Sequence, residues 1–173
     1  GIIRPVFLDP RMLFLPRSTS RRKSQGLGEF PVALVNNNIP YKKCYCFEIS
    51  SKNCFLLREY TEKAGIKNIE ILQMAAYNEN RTIKINECNA NSAITDDISG
   101  KNVKAVKLDT FFEKTPFNYL KSDIEGAEMP ALQGGINVIK KYRPILSISI
   151  YHSIGDYLNI PTFLHKELEN YTF

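Results

Sequence analysis

Short β-rich apolar runs alternate with longer segments of helical spacing from about residue 41 onward, and this alternation constrains the fold more than any other feature. KCYCFEI (43–49), IEILQMAAY (69–77), TIKINEC (82–88), VKAVKLD, NYLKSD and PILSISIY (144–151) read as strands. Between the first two, Ser50 or Ser51 caps a helix predicted through about Lys63, with Phe55, Leu56, Glu59 and Tyr60 at helical spacing and Gly65 as its stop. MPALQGGINVIKKY (129–142) is predicted as a helix interrupted by Gly134–Gly135, and a last helix is predicted from about Ile160 to Tyr171. NANSAITDDISGKN is predicted as a polar loop. Strands separated by helices of 10–15 residues predict a mainly parallel α/β sheet with helices on both faces.

The amino-terminal end is less regular. PVFLD and MLFL read as short strands, and FPVALV as a helix entered with Pro31 in its first turn. Residues 1–25 are taken as an irregular basic segment and 26–173 as one domain. Residues 1–30 carry six basic side chains (Arg4, Arg11, Arg17, Arg21, Arg22, Lys23) against Asp9 and Glu29, a balance of +4. The rest of the chain holds 17 basic and 16 acidic residues, a balance of +1. A nucleic-acid face spreads Lys and Arg along structured elements, so RSTSRRKS reads as a solvated loop and nucleic acid is not the expected partner. No apolar run approaches the roughly 20 residues that cross a bilayer, and IIRPVFLDPRMLFLP is too broken by Pro and charge to be a secretory core. The chain opens on Gly1, as expected of a processed product or a fragment. Cys44 and Cys46 share a strand face with no His near them, and with Cys54 and Cys88 they read as reduced core thiols of a cytoplasmic protein.

In an open parallel sheet the ligand crevice lies at the carboxyl ends of the strands. That rule selects Glu48, Tyr77, the segment Asp123 to Glu128, and Tyr151–His152. LKSDIEGAE sets Lys121, Asp123, Glu125 and Glu128 within eight residues. Carboxylates at a helix amino terminus are favoured electrostatically, and the same group in a crevice can accept a proton or hold a cation. No metal is assigned from the spacing. His152, at the end of an apolar strand, is a candidate acid–base group, whereas His165 reads as surface. Glu48 sits where a nucleotide-binding fold presents a carboxylate to ribose hydroxyls, and Gly26 and Gly28 precede it by roughly the distance that suits a cofactor loop.

Taken together, LKSDIEGAEMPALQGG, YRPILSISIYH, VKLDTFFEK and YCFEISSKNCFLL resemble the FkbM-type S-adenosylmethionine-dependent methyltransferases over roughly residues 41–171. The most specific element is the string K-x-D-x-E-G-x-E with R-P and Y-H downstream. The resemblance implies a Rossmann-like class I methyltransferase that methylates a hydroxyl oxygen of a sugar or a secondary metabolite. It implies that Glu48 binds the cofactor ribose and that Asp123 lies beside the methyl group. Glu125, Glu128, Lys121 and His152 would line the reaction centre, and Gly28 with Glu29 would close the glycine-rich loop. It also implies a final antiparallel pair of strands beyond Phe173. One departure stands out: the loop reads RRKSQGLGEF, with Arg22 and Ser24 where the family has Asp and Gly. A rival reading follows from it, a non-catalytic relative with a degenerate cofactor loop that serves as an interaction module. The acceptor pocket is expected to use NANSAITDDISG and SIGDYLNIP.

Overall fold

The computed structural model describes residues 11–15, 39–88, 91–94 and 100–172. Gly26, Gly28, Glu29, Arg22 and Ser24 lie outside the described residues, as do PVFLD and the helix read in FPVALV. Among the described residues eight strands form one sheet: β1 (Arg11–Leu15), β2 (Lys43–Glu48), β3 (Ile69–Ala76), β4 (Arg81–Cys88), β5 (Asn91–Ile94), β6 (Lys101–Val106), β7 (Tyr119–Ser122) and β8 (Ile145–Ile148). Their order is β5-β4-β6-β3-β2-β1-β7-β8. β1, β2, β3, β6, β7 and β8 run parallel, and only β4 is antiparallel to its neighbours β6 and β5. The helices are α1 (Ser51–Lys63), α2 (Leu108–Phe111), α3 (Glu128–Tyr142) and α4 (Ile154–Glu167).

Alternation along β2 explains why both faces are covered. Cys44 and Cys46 point to one side and pack with Leu57 of α1, while Tyr45 and Phe47 join the larger core with Leu120, Ala131, Leu132 and Ile160 under α3 and α4. Cys44, Cys46 and Cys54 are fully buried and unbridged, and the Cys44 contact together with burial pushes the Cys46 thiol well up. The chain passes from β1 outward to β2 and β3, then returns to place β7 on the other side of β1. The strand order therefore reverses between β1 and β7, and that reversal opens the crevice of a doubly wound sheet at their carboxyl ends. Among the described residues no helix is long and apolar enough to cross a membrane.

Three local expectations are corrected. Residues 91–94, read as loop, form β5, because Asn91–Ile94 meet the open edge of β4 in register with Ile85–Cys88. The glycines of α3 do not interrupt it: the helix is continuous, and they let it approach the sheet. A Cβ on Gly134 would lie 1.9 Å from the Tyr77 carbonyl oxygen, and one on Gly135 would lie 3.0 Å from Leu108 Cβ. The last helix begins six residues earlier than expected, since Ser153 caps it by accepting the Asp156 N–H at 2.9 Å and Pro161 is carried within it. The segment SIGDYLNIP is thus the start of this helix, and Tyr171 lies beyond the helix with its hydroxyl donating to Pro144 O at 3.0 Å. The helix expected through Lys63 is present as α1, which buries Cys54, Leu57 and Thr61 and leaves Phe55, Leu56 and Tyr60 exposed.

Two of the motifs singled out in the sequence act as braces. Asp109 accepts the Val138 N–H at 2.9 Å and the Asn137 side-chain amide at 2.7 Å, so the Leu108–Asp109 element pins the middle of α3. Arg143, in the left-handed region at φ 50°, donates to the carbonyls of Glu169 and Asn170 and stacks on Tyr171. The Arg–Pro element therefore ties the segment after α4 to the end of α3.

Candidate active site

The acidic turn is built by the first residue of α3. Glu128 is fully buried, and its Oε1 and Oε2 accept the backbone N–H groups of Ile124 at 2.6 Å and Gly126 at 2.9 Å. Those bonds curl the chain after β7 into a turn, with Glu125 at φ 58° and Gly126 at φ 93°. The left-handed backbone suits Gly126 and is the sparsely populated one for Glu125. A carboxylate in the first turn of a helix also meets the positive end of its dipole. The sequence spacing alone separates Glu125 and Glu128 from Asp123; the turn brings them back to the same place.

His152 is the point on which they converge. Its Nε2 lies 3.1 Å from Asp123 Oδ1 and 3.3 Å from Glu128 Oε1, and its Nδ1 lies 3.5 Å from Glu125 Oε2. The imidazole is only 8% exposed, against 17% for the Asp123 side chain and 23% for Glu125. The two carboxylates are thus more open to the crevice than the ring that joins them. Tyr151 donates its hydroxyl to Asp123 Oδ1 at 2.8 Å and stacks on the His152 ring with centroids 4.3 Å apart. β8 delivers the Tyr151–His152 pair beside β7, and Ser149 N of the same connection binds Ser122 O at 2.9 Å. Asp123, Glu128 and His152 form a compact set whose donor atoms all lie within 4.8 Å of one another.

The other candidates fall elsewhere along the same sheet. Lys121 is half-buried within β7, in register with Phe14 of β1 and Ser147 of β8. Glu48 ends β2 and is buried; it accepts the Ser50 N–H at 2.8 Å and the Asn53 side-chain amide at 3.4 Å. β1 lies between β2 and β7, so the ends of those strands stand about 10 Å apart at ordinary sheet spacing. Both ends flank the strand-order reversal. Gly26 and Gly28 lie outside the described residues, and so does the loop on which the non-catalytic reading turns.

Sequence reasoning gave Tyr151 no role, although the Tyr–His pair at the end of an apolar strand was the signal that could have found it. Ser122 was missed as well. It is 1% exposed, and its hydroxyl has no hydrogen-bond partner among the described residues. A lone serine at the end of a buried strand carries no signal in the sequence.

A family model described as "Methyltransferase FkbM domain" matches residues 13–173. Among solved structures, a crystal structure of methyltransferase FkbM from Methylobacillus flagellatus KT is similar, with a TM-score of 0.69 and 20% sequence identity. The match covers 95% of this chain and 39% of that one, so the chain spans about two fifths of the length of the protein it resembles. No curated protein matches the chain.

Proposed function

Since the chain belongs to the FkbM methyltransferase domain family, we propose that it transfers a methyl group from S-adenosylmethionine to a hydroxyl of a sugar or another small-molecule acceptor. The observation that carries this reading is the convergence of Asp123, Glu125 and Glu128 on His152 at the carboxyl ends of β7 and β8, beside the strand-order reversal. The residues suit such a donor chemically. Three carboxylates around one imidazole make an acidic end to the crevice, which favours a cationic sulfonium, and the Glu48 carboxylate offers acceptors for a ribose diol. When bound, S-adenosylmethionine supplies a methyl group whose C–S bond breaks with its electron pair left on sulfur as the acceptor oxygen takes the carbon.

The chain's own residues have two tasks. Glu48 holds the ribose end, about 10 Å from Asp123 across the end of β1. Asp123 and His152 receive the acceptor proton, with Asp123 as the group facing the hydroxyl and His152 fixing its direction. Tyr151 holds the same carboxylate oxygen from the solvent side, and Glu128 fixes the turn. Alignment supplies much of the rate in such a transfer, and a positioned base adds about 10²–10⁴-fold. Lys121 is assigned to the rim of the same crevice.

The test is formation of S-adenosylhomocysteine with a panel of saccharide and small-molecule acceptors. Asp123→Asn is expected to lower turnover at least about 100-fold, and His152→Ala about as much. Both variants should keep the wild-type circular dichroism. Folded variants that methylate the true acceptor at the wild-type rate would remove the roles given to these residues.

A further inference from the structure

At His152 two carboxylate oxygens gather at one ring nitrogen, and each also accepts another proton, Asp123 Oδ1 from the Tyr151 hydroxyl and Glu128 Oε1 from the Ile124 N–H. Nε2 can carry one proton, yet two carboxylate oxygens face it, Asp123 Oδ1 at 3.1 Å and Glu128 Oε1 at 3.3 Å. One of them is held by a fully buried side chain. The separations have another meaning. Ligands in adjacent positions of an octahedron with bonds of about 2.1 Å lie about 3.0 Å apart. Two oxygens and one imidazole nitrogen, all within 4.8 Å of one another, are the donor types and the spacing of three ligands around one small divalent ion.

A second observation comes from the strand beneath. The Ser122 hydroxyl is buried and has no hydrogen-bond partner among the described residues. Ser122 shares its sheet face with Leu120, which packs against Ala131 and Leu132 of α3. Glu128 opens that same helix, so the unpartnered hydroxyl is placed on the face of β7 that α3 covers, at the last residue of the strand before the turn. A buried hydroxyl left without a partner costs about 1–3 kcal/mol, and a hydrated ion beside it would satisfy it.

We infer that Asp123, Glu128 and His152 form a binding site for one divalent cation of the Mn²⁺ type. The inference deepens the proposed function, since it concerns the same crevice. With the cation in place, a coordinated acceptor hydroxyl becomes more acidic. Asp123 and His152 then act as ligands in place of the proton-accepting role given to them above, and the proton of the acidified hydroxyl passes to solvent. The set is unlike an ordinary solvated acidic patch, because one of its carboxylates is fully buried and its imidazole is nearly so.

The probe is Mn²⁺ itself, titrated into the metal-stripped full chain without S-adenosylmethionine and followed by calorimetry and by its electron paramagnetic resonance. Saturable binding to one site is expected, weakened at least tenfold in both Asp123→Asn and His152→Gln. Glu79→Gln, which alters an exposed pair with Arg81 away from the crevice, should bind as the wild type does. No saturable binding to the folded chain would overturn the inference. So would equal affinity in the two site variants, which would mark the ion as adventitious. Binding of S-adenosylhomocysteine, measured separately on the same metal-free samples, distinguishes this failure from failure of the methyltransferase reading.

Discussion

Gly134→Ala is expected to destabilise the chain by about 3 kcal/mol or more, the upper end for overpacking a rigid contact. A Cβ there would lie 1.9 Å from the Tyr77 carbonyl oxygen and 2.8 Å from its carbon. Both atoms are backbone, just past the end of β3, and cannot rotate away. In an exposed helix the same change would stabilise by up to about 1 kcal/mol through propensity, so the sign of the effect is itself informative. Gly135→Ala meets Leu108 Cβ at 3.0 Å and Cδ1 at 3.1 Å, a far looser approach than that at Gly134, so its cost should be smaller. Urea denaturation of the two variants measures the difference. A Gly134→Ala variant as stable as the wild type would show that α3 does not approach the sheet as closely as described.

The second large effect is expected at Glu128. Its alanine variant leaves the N–H groups of Ile124 and Gly126 without their acceptor and removes a carboxylate from His152. Breaking one partner of a buried, hydrogen-bonded charged set costs about 3–5 kcal/mol. Glu128→Gln should not rescue it fully, because an amide presents an NH₂ where one of the two backbone donors points. The consequence reaches beyond stability. The turn that sets Asp123 and Glu125 against His152 depends on those two bonds, so any folded Glu128 variant should also lose turnover. Thermal unfolding and the S-adenosylhomocysteine assay test the two effects separately. Full turnover in a folded Glu128→Ala variant would show that the turn holds without its carboxylate.

Much of this arrangement was legible in the chain, and the parts that were not share a cause. β2, β3, β7 and β8 announced themselves because each is an apolar run bounded by turn residues, and the pair Ser50–Ser51 announced α1, with Ser50 the one that accepts the Asn53 N–H. β5 was hidden, since Asn91–Ile94 has no strand pattern of its own and is a strand only because β4 has an open edge. Gly134 and Gly135 misled for a similar reason. Glycine lowers helix propensity locally, but here it is required by a carbonyl that lies 57 residues earlier. At the site, the resemblance named Asp123, Glu125, Glu128 and His152, and the rule about strand ends named the place. The left-handed turn at Glu125 and Gly126 that gathers them follows from tertiary hydrogen bonds to Glu128, which no spacing reveals. The orphaned Ser122 hydroxyl lay equally beyond reach of the pattern.

The crevice between Glu48 and Asp123 is proposed to hold a sulfonium nucleoside. Calorimetric titration of the purified chain with S-adenosylmethionine and S-adenosylhomocysteine tests it most directly. One site of micromolar affinity is expected for both, weakened more than tenfold by Glu48→Ala. A folded chain that releases no heat with either compound, or a Glu48→Ala variant that binds as tightly as the wild type, would contradict it.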